Sequence, residues 1–544
     1  MTTTTLPALN PKDLGSQVVR SYDPQSSSPW LVEISVVDAP AGGTRLPKVS
    51  MGTQTFDSLG RVKNRSSGGR TWKASYDSTA GSLTSPSVVT SPGLNGINYS
   101  YIAELGEKIS TVSSVSVGPT TSSKTFTYES LTGALQTATT TQQSFTSKVT
   151  QTYMNTGRLE TETFTPQATT PTHYTYTVAG RISSYTDVAG VKQTVPRDIY
   201  GRPTTVKDSQ VSVTLSYDAL GRQYQWVTTD NATLASVTTL IEWDPQGRET
   251  TRTMTSSQTG HSWTLAQDWY TNHQLRTRKL KRNNRVVRTE SYAYDQRNRL
   301  KSYTISGDDN ERPQDEKGNR ITDQNFTYDV YSNIITIISN FTNGSDTMRC
   351  SYGDKTTLND KLGSDPCQLF NVSHNHVSYT SATPRPANAT YDANGALIGD
   401  GWGRTFTYSA YTQMGYLYKA SVKGKDVNGQ YVNKEATYQY DALNRLIAQS
   451  SRDNVSDNTD SAQLCYRDAT LANQLNGTSG EGVRLLTGPA GNLAQVRTGA
   501  IAGVWLSGTD ANGSVLSVEN LSEDKKISQQ VNLAYGPYGE RPTN

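Results

Sequence analysis

The chain has 544 residues, of which 33% are hydrophobic and 9% aromatic, with 43 glycines and 31 tyrosines against 8 phenylalanines. Lysine plus arginine (51) nearly cancels aspartate plus glutamate (48), leaving a net charge of +3. This balance excludes a dedicated nucleic-acid or membrane-surface protein, which needs a strong excess of one sign, and the aromatic content excludes disorder over most of the chain.

The length exceeds what one compact core sustains, leaving several domains or one extended repeat array. Thr, Ser and Tyr crowd the segments between turns rich in Gly, Asn and Asp, and that usage predicts an all-β protein. Residues 1–50 carry many prolines and little repetition, and read as a leading segment or an incomplete sheet edge. The opening "MTTTTLPALNPKDLG" has neither a positive start nor an apolar run, so no Sec-type signal peptide is visible. No stretch approaches the roughly 20 apolar residues of a membrane-spanning helix.

The first strong motif is "FDSLGR" (56–61), with Phe56, Asp57 and Gly60. Its fullest context is "VSVTLSYDALGRQYQWVTT" (211–229), where Val211, Val213, Leu215 and Tyr217 alternate with Ser212, Thr214 and Ser216, the period-two pattern of a strand with one covered face. Asp218 is suited to an Asx-type turn and Gly221 to a positive φ, after which alternation resumes through Tyr224, Trp226 and Thr228. The unit is strand, tight turn, strand. "WDPQGR" (Trp243, Asp244, Gly247), "YDQRNR" (Tyr294, Asp295), "YDVYSN" (Tyr328, Asp329), "YDANGA" (Tyr391, Asp392, Gly395) and "YDALNR" (Tyr440, Asp441) repeat it. Asn298 stands in for Gly because Asn tolerates the left-handed region. Weaker copies are "SYDSTAGSL" (75–83), "TYESLTGAL" (127–135), "TYMNTGRLE" (152–160), "RDIYGRPTTV" (197–206) and "DWYTNHQLRTR" (268–278), the last aligned on Tyr270. Such self-similarity marks an array whose units cover one another. No "WD" dipeptide at blade spacing and no leucine ladder supports a propeller or a leucine-rich repeat. The Tyr before each turn predicts a ring laid across the adjoining hairpin with its hydroxyl near water or a polar partner, and stacked copies predict a ladder setting the register of a long curling sheet.

Between the motifs, "LRTRKLKRNNRVVR" (275–288) is a concentrated basic run. Lacking interleaved aromatics, it reads as a hairpin turning at Asn283-Asn284 with its charges on one wetted face rather than as a nucleic-acid or acidic-cargo site. "SGDDNERPQDEKGNR" (306–320) reads as a protruding loop, as does "SRDNVSDNTDSA" (451–462). His374 and His376 would share one side of a strand and could meet a metal with Cys350 or Cys367, but the spacing resembles no zinc motif, so a loop or strand surface is expected. With Cys465 these three cysteines are too few for a disulfide framework, leaving one disulfide open. Trp402 in "GDGWGRTFTY" (399–408) reads as part of a bulged corner rather than a ligand platform. Carboxylates in equivalent positions do not supply the dissimilar acid and base that catalysis needs, and no "GxSxG", "HExxH" or phosphate-cradling Gly-Lys-Ser/Thr sequence occurs. No catalytic, cofactor or metal residue is expected.

The motif set resembles the tyrosine-aspartate repeat, or Rhs, family, which includes bacterial polymorphic toxins, the C components of insecticidal toxin complexes and the teneurins. The resemblance runs from about Phe56 to Glu540. It is most specific downstream, where "GTDANGSVLSVENLSEDKKISQQVNLAYGPYGERP" (508–542) resembles the segment leading into the Rhs-associated core, with Asp510, Gly513, Ser514, Pro537, Tyr538 and Gly539 at the recurrent positions. The resemblance implies an all-β spiralling, hollow shell over residues 51–505, followed at 506–544 by a truncated start of the core segment. In toxin members the core plugs one end, and a C-terminal toxin inside is released at a "DPxG" site. Here Asp23-Pro24, Asp244-Pro245 and Asp365-Pro366 lack the following Gly and the chain ends at "ERPTN", so no autoprotease is assigned, and a piece of a longer protein, or a product from which cargo and plug have been removed, is expected. The expected function is a non-enzymatic shell shielding a C-terminal toxin for delivery. Its expected partners are that toxin, the remaining core segment and secretion or toxin-complex delivery components, with no nucleic acid, no membrane span and export from a bacterium. An extracellular module binding glycan or protein is the alternative, and a hydrolase ranks last.

Overall fold

A computed structural model describes residues 2–5, 17–23, 30–37, 48–114, 122–142, 145–168, 170–329, 331–353, 365–380, 388–401, 403–408, 415–425, 431–477, 481–488, 491–499, 502–521, 527–532, 534–535 and 537. The protein is all-β, as expected. A 29-stranded sheet runs from Thr2–Thr5 to Leu369–Ser373, and a 13-stranded sheet from Thr390–Tyr391 to Ile527–Asn532. Among the described residues every strand pairing is antiparallel and joins chain neighbours. Gln17–Tyr22 and Leu31–Val37, within the leading segment, are strands of the larger sheet. Between the sheets lies one helical turn, Val377–Thr380.

Side-chain alternation decides which face is covered. In Val211–Tyr217, Val211, Val213 and Leu215 are buried while Ser212, Thr214 and Ser216 are not. At the end of this strand the register slips by one residue between Ser216 and Tyr217. The same slip occurs at Glu242/Trp243, Ala293/Tyr294, Thr327/Tyr328 and Gln439/Tyr440. A bulge bends its strand and increases local twist. Repeated along the rim that carries the motif corners, it curls the ribbon in one sense. The opposite rim closes with tight turns such as Gly68-Gly69 (φ 56° and 74°) and Asn283-Asn284 (φ 47° and 68°), the paired positive angles of type I′ hairpins.

The curl brings the chain back onto itself. One apolar cluster joins Val213, Leu215, Trp226 and Met254 of the first course to Leu486, Leu493, Val496 and Leu506 of the second. Each fully buried aliphatic side chain there contributes about 2 kcal/mol. A second cluster sets Ala442 and Cys465 against Ala138, Val149 and Phe164.

Three sequence expectations need correction. The basic run does form a hairpin turning at Asn283-Asn284, but its charges are not on one wetted face. Arg288 and Glu290 are buried, Arg278 pairs with Glu290, and Arg282 pairs with Glu311. Arg side chains spaced by two along a strand can meet carboxylates from the paired strand and from the segment that follows, and periodicity alone does not reveal them. The 306–320 segment folds back on that hairpin rather than protruding: Arg285 meets Asp308, and Asp315 and Asn319 are buried. It also holds a corner of the repeated type, with Asp315 accepting from the Lys317 and Asn319 amides and Gly318 at φ 81°. Residues 451–462 do protrude, exposed along almost their whole length, but as the hairpin between Leu446–Asp453 and Asn458–Arg467 rather than as a loop. All three cysteines are free.

Candidate functional site

Each corner begins with its Asp. At Asp218, Oδ1 accepts from the backbone amides of Leu220 (2.9 Å) and Arg222 (2.8 Å), while Oδ2 accepts from Arg222 Nε (2.7 Å). The Gly221 amide donates to the Asp218 carbonyl, which places Gly221 at φ 79°. Asp57, Asp244, Asp295 and Asp441 bind the Arg four residues on in the same way, and Asp198 and Asp400 lie in further corners of this kind. Asp329 uses Asn333 in place of Arg, and Asp392 accepts from the Asn394 and Ala396 amides. Gly60, Gly247, Gly395, Asn298 and Asn444 hold the positive-φ position, and so does Ser332. The slight burial of Asp218 pushes its pKa up, but the Arg222 guanidinium and the backbone amides outweigh it and hold the carboxyl below its ordinary value.

The other two motif residues connect consecutive corners. Tyr217 Oη donates to the Pro203 carbonyl at 2.9 Å, Tyr294 to Leu275 at 3.0 Å and Tyr328 to Leu300 at 2.6 Å, each reaching back to the preceding hairpin. Tyr391 does the same toward Leu369. The Arg reaches forward. Arg299 Nη1 donates to the Asp329 carbonyl (3.1 Å) while its guanidinium lies over the Tyr328 ring (4.4 Å), and Arg222 lies over Trp243 (5.6 Å). Phe56, without a hydroxyl, packs against Trp30 (5.2 Å) and Tyr440 stacks on Tyr416 (4.8 Å). At "DWYTNHQLRTR" the aromatic of the ladder is Trp269, whose Nε1 donates to the Glu249 carbonyl at 2.8 Å; Tyr270 takes the place of Asp. The Arg role was missed in the sequence, although its recurrence four residues after Asp was in plain view.

Between the courses the corners do something else. Arg445 binds its own Asp441 (Nε, 2.8 Å) and also Glu162 of the first course (Nη1, 3.3 Å). Arg467 donates to Gln193 Oε1 (2.9 Å), Asn473 to Asp187 Oδ2 (3.1 Å), and Arg484 to Asp208 and to Gln210 Oε1 (2.8 Å). Arg70 meets Asp365 at 2.8 Å, and the Gly93 amide donates to Asn394 at 3.0 Å. Lys124 donates to Asn444, and the Arg252 guanidinium faces the Thr509 carbonyl. Burial dominates the electrostatics here. It raises the Glu162 pKa despite Arg445, and it pushes Lys124 down to about 8 against the opposing pull of Asp441. Asp441 and Glu162 are 1% and 2% exposed.

The remaining candidates do not converge. His374 Nδ1 faces Asp346 Oδ2 at 2.7 Å and stacks on Tyr379, whereas His376 Nδ1 faces Ser378. Burial works to raise the Asp346 pKa, but His374 and the His376 and Asn375 amides lower it overall. Among the described residues no group of three or more His, Cys, Asp and Glu side chains is placed to hold a metal. Asp510 accepts from the Asn512 and Ser514 amides, with Gly513 at φ 82°. Pro537 is in a turn; Trp402, Tyr538 and Gly539 lie outside the described residues. No helix among the described residues is long and apolar enough to cross a membrane. The arrangement can hold a wall closed, and the corners and seam together form the candidate site.

No protein-family model and no curated protein sequence matches the chain. Its fold is similar to that of several solved structures. The crystal structure of TcdB2-TccC3-Cdc42 aligns at TM-score 0.63 and 13% identity, over 95% of this chain and 28% of that one. TcdB2-TccC3 without its hypervariable C-terminal region aligns at 0.63 and 14%, over 97% and 27%. A mutant Tc holotoxin pore of Photorhabdus luminescens aligns at 0.62 and 14%, over 96% and 27%. The chain thus spans less than a third of the length of these relatives in fold.

Proposed function

We propose that this chain is part of the wall of a bacterial toxin shell, a non-enzymatic container that shields a C-terminal toxin until delivery by secretion or toxin-complex components. One observation carries the reading: seam partners stay 257 to 320 residues apart along the ribbon. A nearly constant offset is what a sheet wound with a steady circumference produces. About twenty strands per turn at about 4.8 Å each give a circumference on the order of 100 Å, enough for a lumen some tens of ångströms across once the strands tilt. Winding also hides sheet edges that would otherwise pair with other chains. The fold of the TcdB2-TccC3 relatives supports the same reading.

Imaging the full-length gene product by electron cryomicroscopy tests it. The expected result is a continuous β wall around density for the C-terminal domain, with that domain resistant to added protease. A solid interior, or a C-terminal domain cut as fast in the intact particle as when free, would sink the proposal.

A further inference from the structure

One contact of the seam sets a nucleophile against an electrophile. Lys124, in the first-course strand Ser122–Tyr128, is 6% exposed, and its Nζ donates to Asn444 Oδ1 in a second-course corner 320 residues away along the chain. On its own sheet Lys124 stands opposite Val112 and Thr140, neither of them a titratable residue. From the second course it faces the Tyr416 ring, 5.9 Å from Nζ, and the corner itself, where Asp441 is close enough to pull its pKa upward. Burial outweighs that pull and favours the neutral amine, bringing the pKa down to about 8. Asp441 is bound to Arg445, and Nζ meets a neutral carboxamide. The backbone places that carboxamide. Gly60, Gly221 and Gly247 take the equivalent corner position, whereas Asn444, at φ 69°, brings a side chain to it and stays open to solvent.

We propose that Lys124 Nζ and Asn444 Cγ join in an intramolecular isopeptide bond that ties the first course of the wall to the second. The lone pair of the neutral amine adds to Cγ, and the bond from Cγ to the Asn444 amide nitrogen breaks. That nitrogen leaves as ammonia with the proton that Nζ gives up, so no other reagent is consumed. The hydrogen bond to Oδ1 already holds Nζ close to Cγ, near the roughly 3–3.5 Å from which attack proceeds. A reactant fixed in this way acts at an effective concentration on the order of 10⁵ M or more. Asp441 is the carboxylate at hand to pass the proton on, and the exposed corner gives ammonia a way out. Like a disulfide, the tie restricts the unfolded chain, and it keeps the ribbon from unwinding. It holds whether or not the wall encloses a toxin.

Peptide mapping of the purified chain by mass spectrometry gives the test. Kept at about pH 6, where Lys124 is protonated, the chain should stay unlinked and its amine should still titrate. Incubated at about pH 9, the folded chain should lose one ammonia and yield a branched tryptic peptide joining the Lys124 and Asn444 segments. A succinimide at an Asn-Gly pair such as Asn394-Gly395 loses ammonia as well, so the branched peptide decides. Lys124→Arg keeps the charge and a donor, and Asn444→Gly restores the usual corner residue. Each variant should give no branched peptide while keeping the wild-type circular dichroism, and linked wild type should migrate faster than either on a denaturing gel. The urea-unfolded chain at the same pH should not link. A folded wild type without the branched peptide after prolonged incubation, or equal linking in the unfolded chain, would overturn the proposal.

Discussion

Asp218 and Asp441 hold the same place in the same phrase, yet their arginines answer to different neighbours. Arg222 serves its own corner and the Trp243 ring with its side chain 30% exposed, whereas Arg445 also neutralises a first-course Glu162 that water scarcely reaches. Removing one partner of a buried charge set leaves the others uncompensated, a cost of about 3 kcal/mol or more. Arg445→Met is therefore expected to lower the urea unfolding midpoint markedly, and Arg222→Met to leave it nearly unchanged; equal effects would refute the distinction. Lys124 offers a pH test. Its pKa in the folded protein is depressed to about 8 from an ordinary 10.5. The unfolded chain therefore binds the extra proton between those values, and stability from this group grows as pH rises through that window and is lost as pH falls through about 8. The wild-type minus Lys124→Met stability difference should rise as pH climbs from about 8 toward the ordinary 10.5, as followed by chemical denaturation. A flat difference would show that Lys124 is not desolvated at the seam.

A corner works as an element because three residues close it and two export contacts. Gly247 tests the closure cleanly, since a Cβ there would meet no other atom within 4 Å, and only its φ of 78° resists substitution. Gly247→Asn should cost about 1 kcal/mol or less and Gly247→Val about 2 kcal/mol, because Asn tolerates the left-handed region and a β-branched residue does not. Thermal unfolding of both variants measures the gap, and an equal loss would mean the corner is not held by this backbone angle. Asn298 and Asn444 already occupy the same position elsewhere in the chain. Much of this was legible beforehand: strand alternation, Asp at the turn and a Gly or Asn three residues on all lie within a few residues of one another. The forward reach of Arg299 to the Asp329 carbonyl was not, because it crosses 30 residues and depends on how two hairpins lie side by side.

At the scale of the whole molecule, the seam combines apolar contact with charges shielded from solvent. Buried pairs are screened far less than surface ones. Small-angle scattering in about 1 M salt should therefore match that in dilute buffer, while Arg467→Met with Arg484→Met should expand the particle with little change in circular dichroism. Salt-induced expansion of wild type would show that exposed ion pairs hold the courses together. The amino-acid sequence by itself determined the strands, the corners and their repetition, because turn closure and alternation are settled by residues within about one hairpin of each other. Only the tertiary structure decided which copy of a repeated phrase is buried, which arginine meets a distant carboxylate and where the ribbon meets itself. Those outcomes depend on curl accumulated over hundreds of residues, and no local pattern carries that sum.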